Sequence, residues 1–330
     1  MKTRMTIISL GVFVTIAAVA AIAESMPKMR YTVHVVDEEG HPVQGVNAVS
    51  LFNKSAVDFG QKVEVKQTTD ANGNFTAEGY SDDGVPAGQL LSKANYYKSG
   101  MNIPTLYDFA GGHWLPWDKT YTTVLRKIGS PIPMHARIMG AKIPSESIAC
   151  GYDLEVGDWV APYGNGLTTD FIVTLINRTY KSYTDYDVRL KISFPNPGDG
   201  LRDAELRKEF ANSEFIWPRF APEDGYQSNF EARHLFHMAP NQPPQSVNTA
   251  NENQAYFIRV RTLLKDGKIV SALYGKIKGG IFIGPDDANT ASVGFIYFLN
   301  PIPNDRNMEF DPERNLSKNL KENDQRLNQP

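Results

Sequence analysis

Apolar and polar residues alternate along most of this chain with a period of two residues. The alternation is clearest at 31–37, 121–127, 171–176 and 256–264. A period of two places successive side chains on opposite faces of a β-strand, whereas an amphipathic helix needs apolar residues at spacings of three and four. No helical stripe longer than two turns occurs before residue 300. The pattern therefore predicts an all-β chain.

Turn-forming residues divide the early part of the chain into hairpins. Glycines at 40, 45 and 73 suit tight turns, because glycine adopts a positive φ without strain. Asn72 before Gly73 is a strong hairpin signal between two alternating runs. We therefore predict two β-hairpins between residues 30 and 80.

This segment resembles the carboxypeptidase regulatory-like domain, a transthyretin-like seven-stranded β-sandwich. The resemblance rests on the alternating run 31–37, the turn region 38–46 and the hairpin 68–75. It implies a sandwich over about 30–127, of a kind that serves as a rigid spacer or contact module beside enzymes, transporters and adhesins. The family implies a fold and an exported setting, and no reaction.

A proline-rich segment marks the predicted domain boundary. Residues 128–134 contain two prolines within three positions, which disfavours both a helix and a central strand. We place the first sandwich at 24–130 and a second β-sandwich or jelly-roll-like domain at 131–301, in which Asp266-Gly267 suits a two-residue hairpin turn. The expected fold class is two antiparallel, immunoglobulin-like β-sandwich domains.

The chain becomes polar after the second domain. Residues 302–330 predict a short C-terminal extension that is partly helical, with a helix start at Asp311-Pro312. The segments 158–164, 194–200 and 300–307 resemble an uncharacterised family of bacterial secreted proteins. That resemblance covers most of the chain and implies no activity.

The first 23 residues have the layout of a secretory signal peptide. Lys2 and Arg4 precede an apolar run that ends in the small-x-small sequence 21–23. An uncleaved membrane anchor is the alternative, since the run approaches the length that spans a bilayer. Cleavage after Ala23 predicts a periplasmic, cell-surface or secreted protein without a transmembrane segment.

Charge and cysteine content narrow the function classes. The formal net charge is −3, and loss of the signal peptide would make it about −5, with basic residues scattered among carboxylates. A nucleic acid is not expected as a partner, because phosphate recognition needs a concentrated basic face. Cys150 is the only cysteine, so no intrachain disulfide forms, and its apolar neighbours predict a buried thiol.

Motifs for catalysis and for metal binding are scarce. The sequence has no Gly-x-Ser-x-Gly elbow and no His-Glu-x-x-His helix, although catalytic groups can also be assembled without such spacing. His234 and His237 would point to opposite faces of a strand and so would not bind one metal. The stretches 70–74 and 286–289 offer oxygen ligands for calcium, but neither matches the helical calcium loop. We predict no catalytic residue, metal or cofactor.

An aromatic loop is the best candidate for a binding surface. Tyrosine and tryptophan give large, rigid contact areas with a polar group, which suits stacking on sugars or packing on a protein. The alternative is that the tryptophans cap the first sandwich or fill a domain interface. A second aromatic cluster follows in the second domain and has the same two interpretations. The predicted ligand-binding residues are Tyr107, His113, Trp114 and Trp117 in the loop, and Trp159 and Tyr163 in the second cluster.

These features predict an exported, non-catalytic binding or structural module of the bacterial envelope or exterior. Its expected partner is a carbohydrate or an envelope protein. A secreted enzyme without a recognisable motif, such as a glycan-active hydrolase, is the alternative. A contiguous exposed aromatic patch would favour binding, whereas convergent titratable groups with shifted pKa values in a cleft would favour an enzyme.

Overall fold

A computed structural model describes residues 26–285, 290–320, 322, 324, 327, 329 and 330. The predicted signal peptide and the acidic stretch 286–289 lie outside the described residues. The described residues form β-strands, turns and two short 3₁₀ turns, with no α-helix among them. The all-β prediction is confirmed. Within this part of the chain, no helix has the length and apolar character needed to cross a membrane.

Eight strands belong to the first of two compact units. They are β1 (Lys28–Val36), β2 (Asn47–Ser55), β3 (Asp58–Thr68), β4 (Asn74–Tyr80), β5 (Gly88–Ser92), β6 (Asp108–Ala110), β7 (His113–Leu115) and β8 (Lys119–Val124). Their hydrogen-bonded order is β3-β2-β4-β1-β7-β6, with β5 beside β2 and β8 beside β1. Strand β1 is antiparallel to β4 and parallel to β8. The parallel pair departs from the purely antiparallel prediction, and the long connection between the two strands makes it feasible.

The alternation in β1 produces the core of this unit. Tyr31, Val33 and Val35 are fully buried and pack with Phe52 and Leu125. The polar residues between them point away from the core, as a period of two requires.

The first unit also contains a segment from much later in the chain. It comprises the described residues up to Ile128 together with Lys208–Ile216, whereas Gly129–Arg207 and Trp217–Pro330 form the second unit. The predicted boundaries placed Lys208–Ile216 in the second domain. The segment belongs to the first unit because Phe210 and Phe215 pack on the Arg126 guanidinium, whose carbon lies 4.1 and 4.5 Å from the two ring centres.

The second unit is a sandwich of two sheets. Its strands are β9 (His135–Lys142), β10 (Cys150–Asp153), β11 (Asp158–Trp159), β12 (Phe171–Ser182), β13 (Asp185–Ser193), β14 (Gly200–Asp203), β15 (Asn229–His237), β16 (Gln245–Asn248), β17 (Ala255–Lys265), β18 (Lys268–Pro285) and β19 (Ala291–Leu299). One sheet has the order β11-β10-β12-β13-β15-β16 and the other β14-β17-β18-β19-β9. Apolar residues of both sheets form one core. Asp266 and Gly267 have φ of +52° and +74°, as the predicted two-residue turn requires.

The polar C-terminal segment is packed onto this second unit. Phe310 is fully buried against Met134, Ala136 and Phe298, on the face of β9 and β19 opposite the sandwich core. A 3₁₀ turn at Pro312–Arg314 follows, and the Asp311 side chain accepts a hydrogen bond from the Glu313 amide. The segment is therefore part of the folded unit, although its composition predicts an extension.

Candidate functional site

The predicted aromatic loop is a short β-hairpin formed by β6 and β7. Its two-residue turn is Gly111-Gly112, whose φ values of +59° and +77° are those of a type I′ turn and favour glycine. The hairpin is attached to β1, because the Lys28 amide donates to the Gly112 carbonyl at 2.9 Å. The hairpin residues 107–117, which we call the aromatic hairpin, are thereby tied to a central strand of the first unit.

Trp114 anchors the aromatic hairpin from its buried side. Only 8% of this residue is exposed, and its indole Nε1 donates to the Ser81 carbonyl at 2.9 Å. The Phe109 ring stands directly across the hairpin and meets the indole edge-on, with ring centres 5.3 Å apart. The sequence leaves open whether Trp114 contacts a ligand or caps the first sandwich, and β7 turns this side chain into the core, as the second interpretation expects.

Other aromatic residues of the hairpin are exposed. Tyr107 is 84% exposed and Phe109 is 62% exposed. His113 is exposed and its ring centre lies 4.2 Å from that of the half-buried Trp117. Phe109 is a candidate that the sequence reasoning missed. Its position opposite Trp114, on a strand with period two, could have identified it.

The second predicted aromatic cluster forms no exposed surface. Trp159 is 6% exposed and lies in the sandwich core of the second unit, where its ring meets Tyr152 edge-on at 5.3 Å. Tyr163 is half-buried and packs against the same core. The predicted binding role of Trp159 is therefore not supported by its position, since its indole is used in packing.

One cavity of about 650 Å³ lies in the second unit where its two sheets meet. Tyr186 and His234 stand on neighbouring strands of one sheet, and Ile283 lies on the other. The His234 Nδ1 lies 2.9 Å from the Ile283 carbonyl, and its Nε2 lies 3.0 Å from the Tyr186 hydroxyl. A carbonyl can only accept, so Nδ1 carries the proton and Nε2 accepts from the phenol in the neutral ring.

Burial also bears on the protonation state of the phenol in this pair. Burial raises the pKa of Tyr186, so the phenol remains protonated at neutral pH. The pair therefore presents a neutral phenol to the cavity. Sequence reasoning missed the pair because the two residues lie 48 positions apart.

A second cavity, of about 520 Å³, is lined by His135, Arg137, Glu155 and Asp158. Its two carboxylates are already engaged. Glu155 accepts from Arg261 at 2.5 Å, and Asp158 accepts from the Trp159 amide at 2.8 Å. Burial lowers the pKa of His135, which favours its neutral form. The lining groups therefore do not form the pair of available carboxylates that glycoside hydrolysis uses.

The potential metal ligands in the described residues also have protein partners. Asp37, Glu39 and His41 lie close together in the turn after β1. The Lys127 ammonium is 2.9 Å from an Asp37 oxygen and already provides a positive charge there. His237 bonds to Asp185 at 3.0 Å and does not converge with His234, as strand geometry predicts.

Comparison with known proteins adds little to this picture. No protein-family model matches the chain, and no curated protein matches it. The crystal structure of 3-chlorocatechol 1,2-dioxygenase from Rhodococcus opacus 1CP shows a slight likeness, at 17% identity and a TM-score of 0.23. The match covers 32% of this chain and 61% of the dioxygenase chain, which is less than two thirds of its length. Such a likeness identifies neither a fold nor an activity.

Proposed function

We propose that this chain is an exported, non-catalytic module of the bacterial envelope or exterior that binds a glycan through the aromatic hairpin. The observation that carries the proposal is the exposure of Tyr107 and Phe109 on a hairpin that the neighbouring Trp114 anchors to the first unit. Exposed aromatic side chains that are grouped in this way are typical of contact surfaces. Anchoring lowers the entropic cost of ordering them on binding.

The polar groups around these rings favour a sugar as the ligand. A sugar presents C–H faces to aromatic rings and hydroxyls to hydrogen-bonding groups. Tyr107 carries a hydroxyl beside its exposed ring, and Asp108 and His113 are exposed on the same hairpin. Alternation places Asp108 and His113 on the face opposite Phe109, so the hairpin as a whole carries this mixture, which suits a partly polar ligand better than the dry centre of a protein interface.

The organisation of the two cavities described above supports binding rather than catalysis. In one, the raised pKa of Tyr186 opposes nucleophile formation. In the other, Glu155 and Asp158 are engaged by protein donors. Neither cavity presents the convergent acid, base and nucleophile that an enzyme needs.

Binding to insoluble polysaccharides and to envelope preparations tests this function. The wild type should be depleted from solution by at least one glycan, and the double variant Tyr107→Ala/Phe109→Ala should lose most of that binding. Tyr183→Ala is the matched control, because Tyr183 is an 80% exposed tyrosine of the second unit. Retention that disappears when the envelope preparation is treated with protease would instead identify a protein partner. Equal binding by the double variant would contradict the proposed surface.

Export is tested separately by the intact mass of the protein from periplasm and culture medium. The proposal expects a chain that begins at Glu24, because signal peptidase requires the small side chain of Ala23. A chain that retains Met1 in the membrane fraction would contradict export in a cleaved form.

A further inference from the structure

Strand β3 is a long, open sheet edge. It spans 11 residues and pairs only with β2. Within the described part of the chain, residues 62–68 make no backbone hydrogen bond outside that ladder. Such an edge presents unpaired amides and carbonyls that can accept another strand.

The edge strand β9 of the second unit shows the contrasting case. The Ala136 amide donates to the Asn315 side chain at 3.1 Å, and the Asn315 amide group donates to the Ala136 carbonyl at 2.9 Å. The Ile138 amide donates to Asp324 at 2.7 Å. Side chains of the C-terminal segment thus satisfy the β9 edge, whereas β3 has no such cover among the described residues.

The charges of β3 are complementary to those of a second β3. Lys62, Glu64 and Lys66 are exposed and alternate with Val63 and Val65. If two copies pair antiparallel about a two-fold axis at Val63, Lys62 of each copy faces Glu64 of the other. This register creates two opposite-charge pairs and places residues 58–68 opposite themselves, with the Gly60 and Gln61 amides already bonded to the Asp58 side chain.

We propose that β3 pairs with β3 of a second copy of this chain in that register. Axes at Lys62 or Glu64 would each place like charges directly opposite, which destabilises antiparallel pairs. An axis at Val65 would use the open residues 62–68 and would pair Glu64 with Lys66, but these two residues already form an ion pair within one strand, at 2.7 Å. Val65 is also partly buried against the core of its own unit, which disfavours that axis.

Charge exchange at two positions tests the register. Sedimentation velocity of the full chain should show a reversible dimer. Lys62→Glu and Glu64→Lys should each weaken it by about tenfold or more, because every attractive pair becomes repulsive. The double variant Lys62→Glu/Glu64→Lys should restore the wild-type dissociation constant, since the pairs are only reversed.

Lys66→Glu is the matched charge control. It changes the same charge on the same strand, and in the proposed register it faces Gly60. It also removes the ion pair of Lys66 with Glu64 of its own strand, at 2.7 Å, but it should weaken the dimer far less than Lys62→Glu because it makes no repulsive pair between copies. Under the Val65 axis, Lys66→Glu would weaken the dimer as strongly as Lys62→Glu. That result would overturn the register.

Cross-linking provides a second readout that does not depend on charge. Val63→Cys should give a disulfide-linked dimer under mild copper-catalysed oxidation, because each copy brings this position to the axis. Gln67→Cys should not cross-link, since it faces Phe59, and the native Cys150 is buried. A wild type that remains monomeric at every concentration, with no cross-linking of Val63→Cys, would overturn the proposal.

Discussion

Phe109 and Trp114 stand directly opposite each other across the aromatic hairpin, yet only one of them faces solvent. Their ring centres are 5.3 Å apart, and the exposed fractions are 62% for Phe109 and 8% for Trp114. The buried indole holds the hairpin through Ser81, and the exposed ring rests on that indole. Stability and contact are thus divided between two neighbouring aromatic residues.

Substitution at these two positions should therefore have opposite consequences. Trp114→Ala should lower the free energy of unfolding by about 3 to 5 kcal/mol, because it opens a cavity and removes the partner of the Ser81 carbonyl. Phe109→Ala should cost less than about 1 kcal/mol, since most of the ring is already in water. Urea denaturation of both variants measures the difference. Equal losses of unfolding free energy in the two variants would contradict the assignment of stability to Trp114 and of contact to Phe109.

Two glycines in the first unit provide a controlled test of turn strain. Gly73 and Gly40 have φ of +74° and +83°. A Cβ at Gly73 would lie 2.5 Å from the Val35 carbonyl oxygen, whereas a Cβ at Gly40 would meet nothing within 4 Å. Gly40→Ala should cost about 1 kcal/mol from backbone strain, and Gly73→Ala clearly more. Similar unfolding midpoints for the two variants would show that the close approach to Val35 is absent.

Local patterns predicted several of the strands, because such patterns depend on near neighbours in sequence. The alternation of Tyr31, Val33 and Val35 identifies β1 and its buried face, and Asp266-Gly267 identifies the turn between β17 and β18. Such features need only a period of two and a residue that tolerates positive φ.

Contacts between distant segments were not predictable in this way. The packing of Phe210 and Phe215 on Arg126 joins positions about ninety residues apart, and composition carries no sign of it. For a related reason, the sequence could not decide between an exposed and a buried Trp114. Alternation over the three residues of β7 shows that its side chains change face, but it does not show which face meets the core.

Acid should weaken the first unit through the ion pair of Asp37 and Lys127. Burial alone would raise the pKa of Asp37, but Lys127 and the amides of His41 and Glu39 hold it at about 2. A depressed carboxyl pKa contributes stability above the unfolded value of 3.8, and this contribution is lost as the pH falls towards 2. Asp37→Asn should remove that part of the pH dependence. Unfolding midpoints measured from pH 5 to pH 2 would show a parallel course for variant and wild type if the pair contributes nothing.

Breaking the buried pair of Arg261 and Asp170 should give the opposite pH dependence, in which the variant becomes more stable as the pH falls. Arg261 binds both oxygens of the fully buried Asp170, at 2.8 and 3.1 Å. Arg261→Met should cost about 3 to 5 kcal/mol at pH 7, because a buried carboxylate loses its partner. Burial raises the pKa of Asp170, so the variant should regain stability as the pH falls and the carboxyl group becomes neutral.

Arg202→Met is the control for that experiment. Arg202 pairs with Asp224, which is 94% exposed, so its loss should have little effect at any pH. Denaturation at pH 7.5 and pH 5 distinguishes the two variants. Arg261→Met should lose less free energy of unfolding, relative to wild type, at pH 5 than at pH 7.5. An equal loss at both pH values would contradict the burial of an unpaired charge.

Hydrogen–deuterium exchange with and without a retained glycan tests whether the aromatic hairpin is the binding surface. The account predicts that the glycan slows exchange in residues 107–117 of the wild type, and that Tyr107→Ala/Phe109→Ala abolishes this protection while Tyr183→Ala preserves it. Protection confined to the second unit, with the aromatic hairpin unchanged, would contradict the assignment of the hairpin as the binding surface.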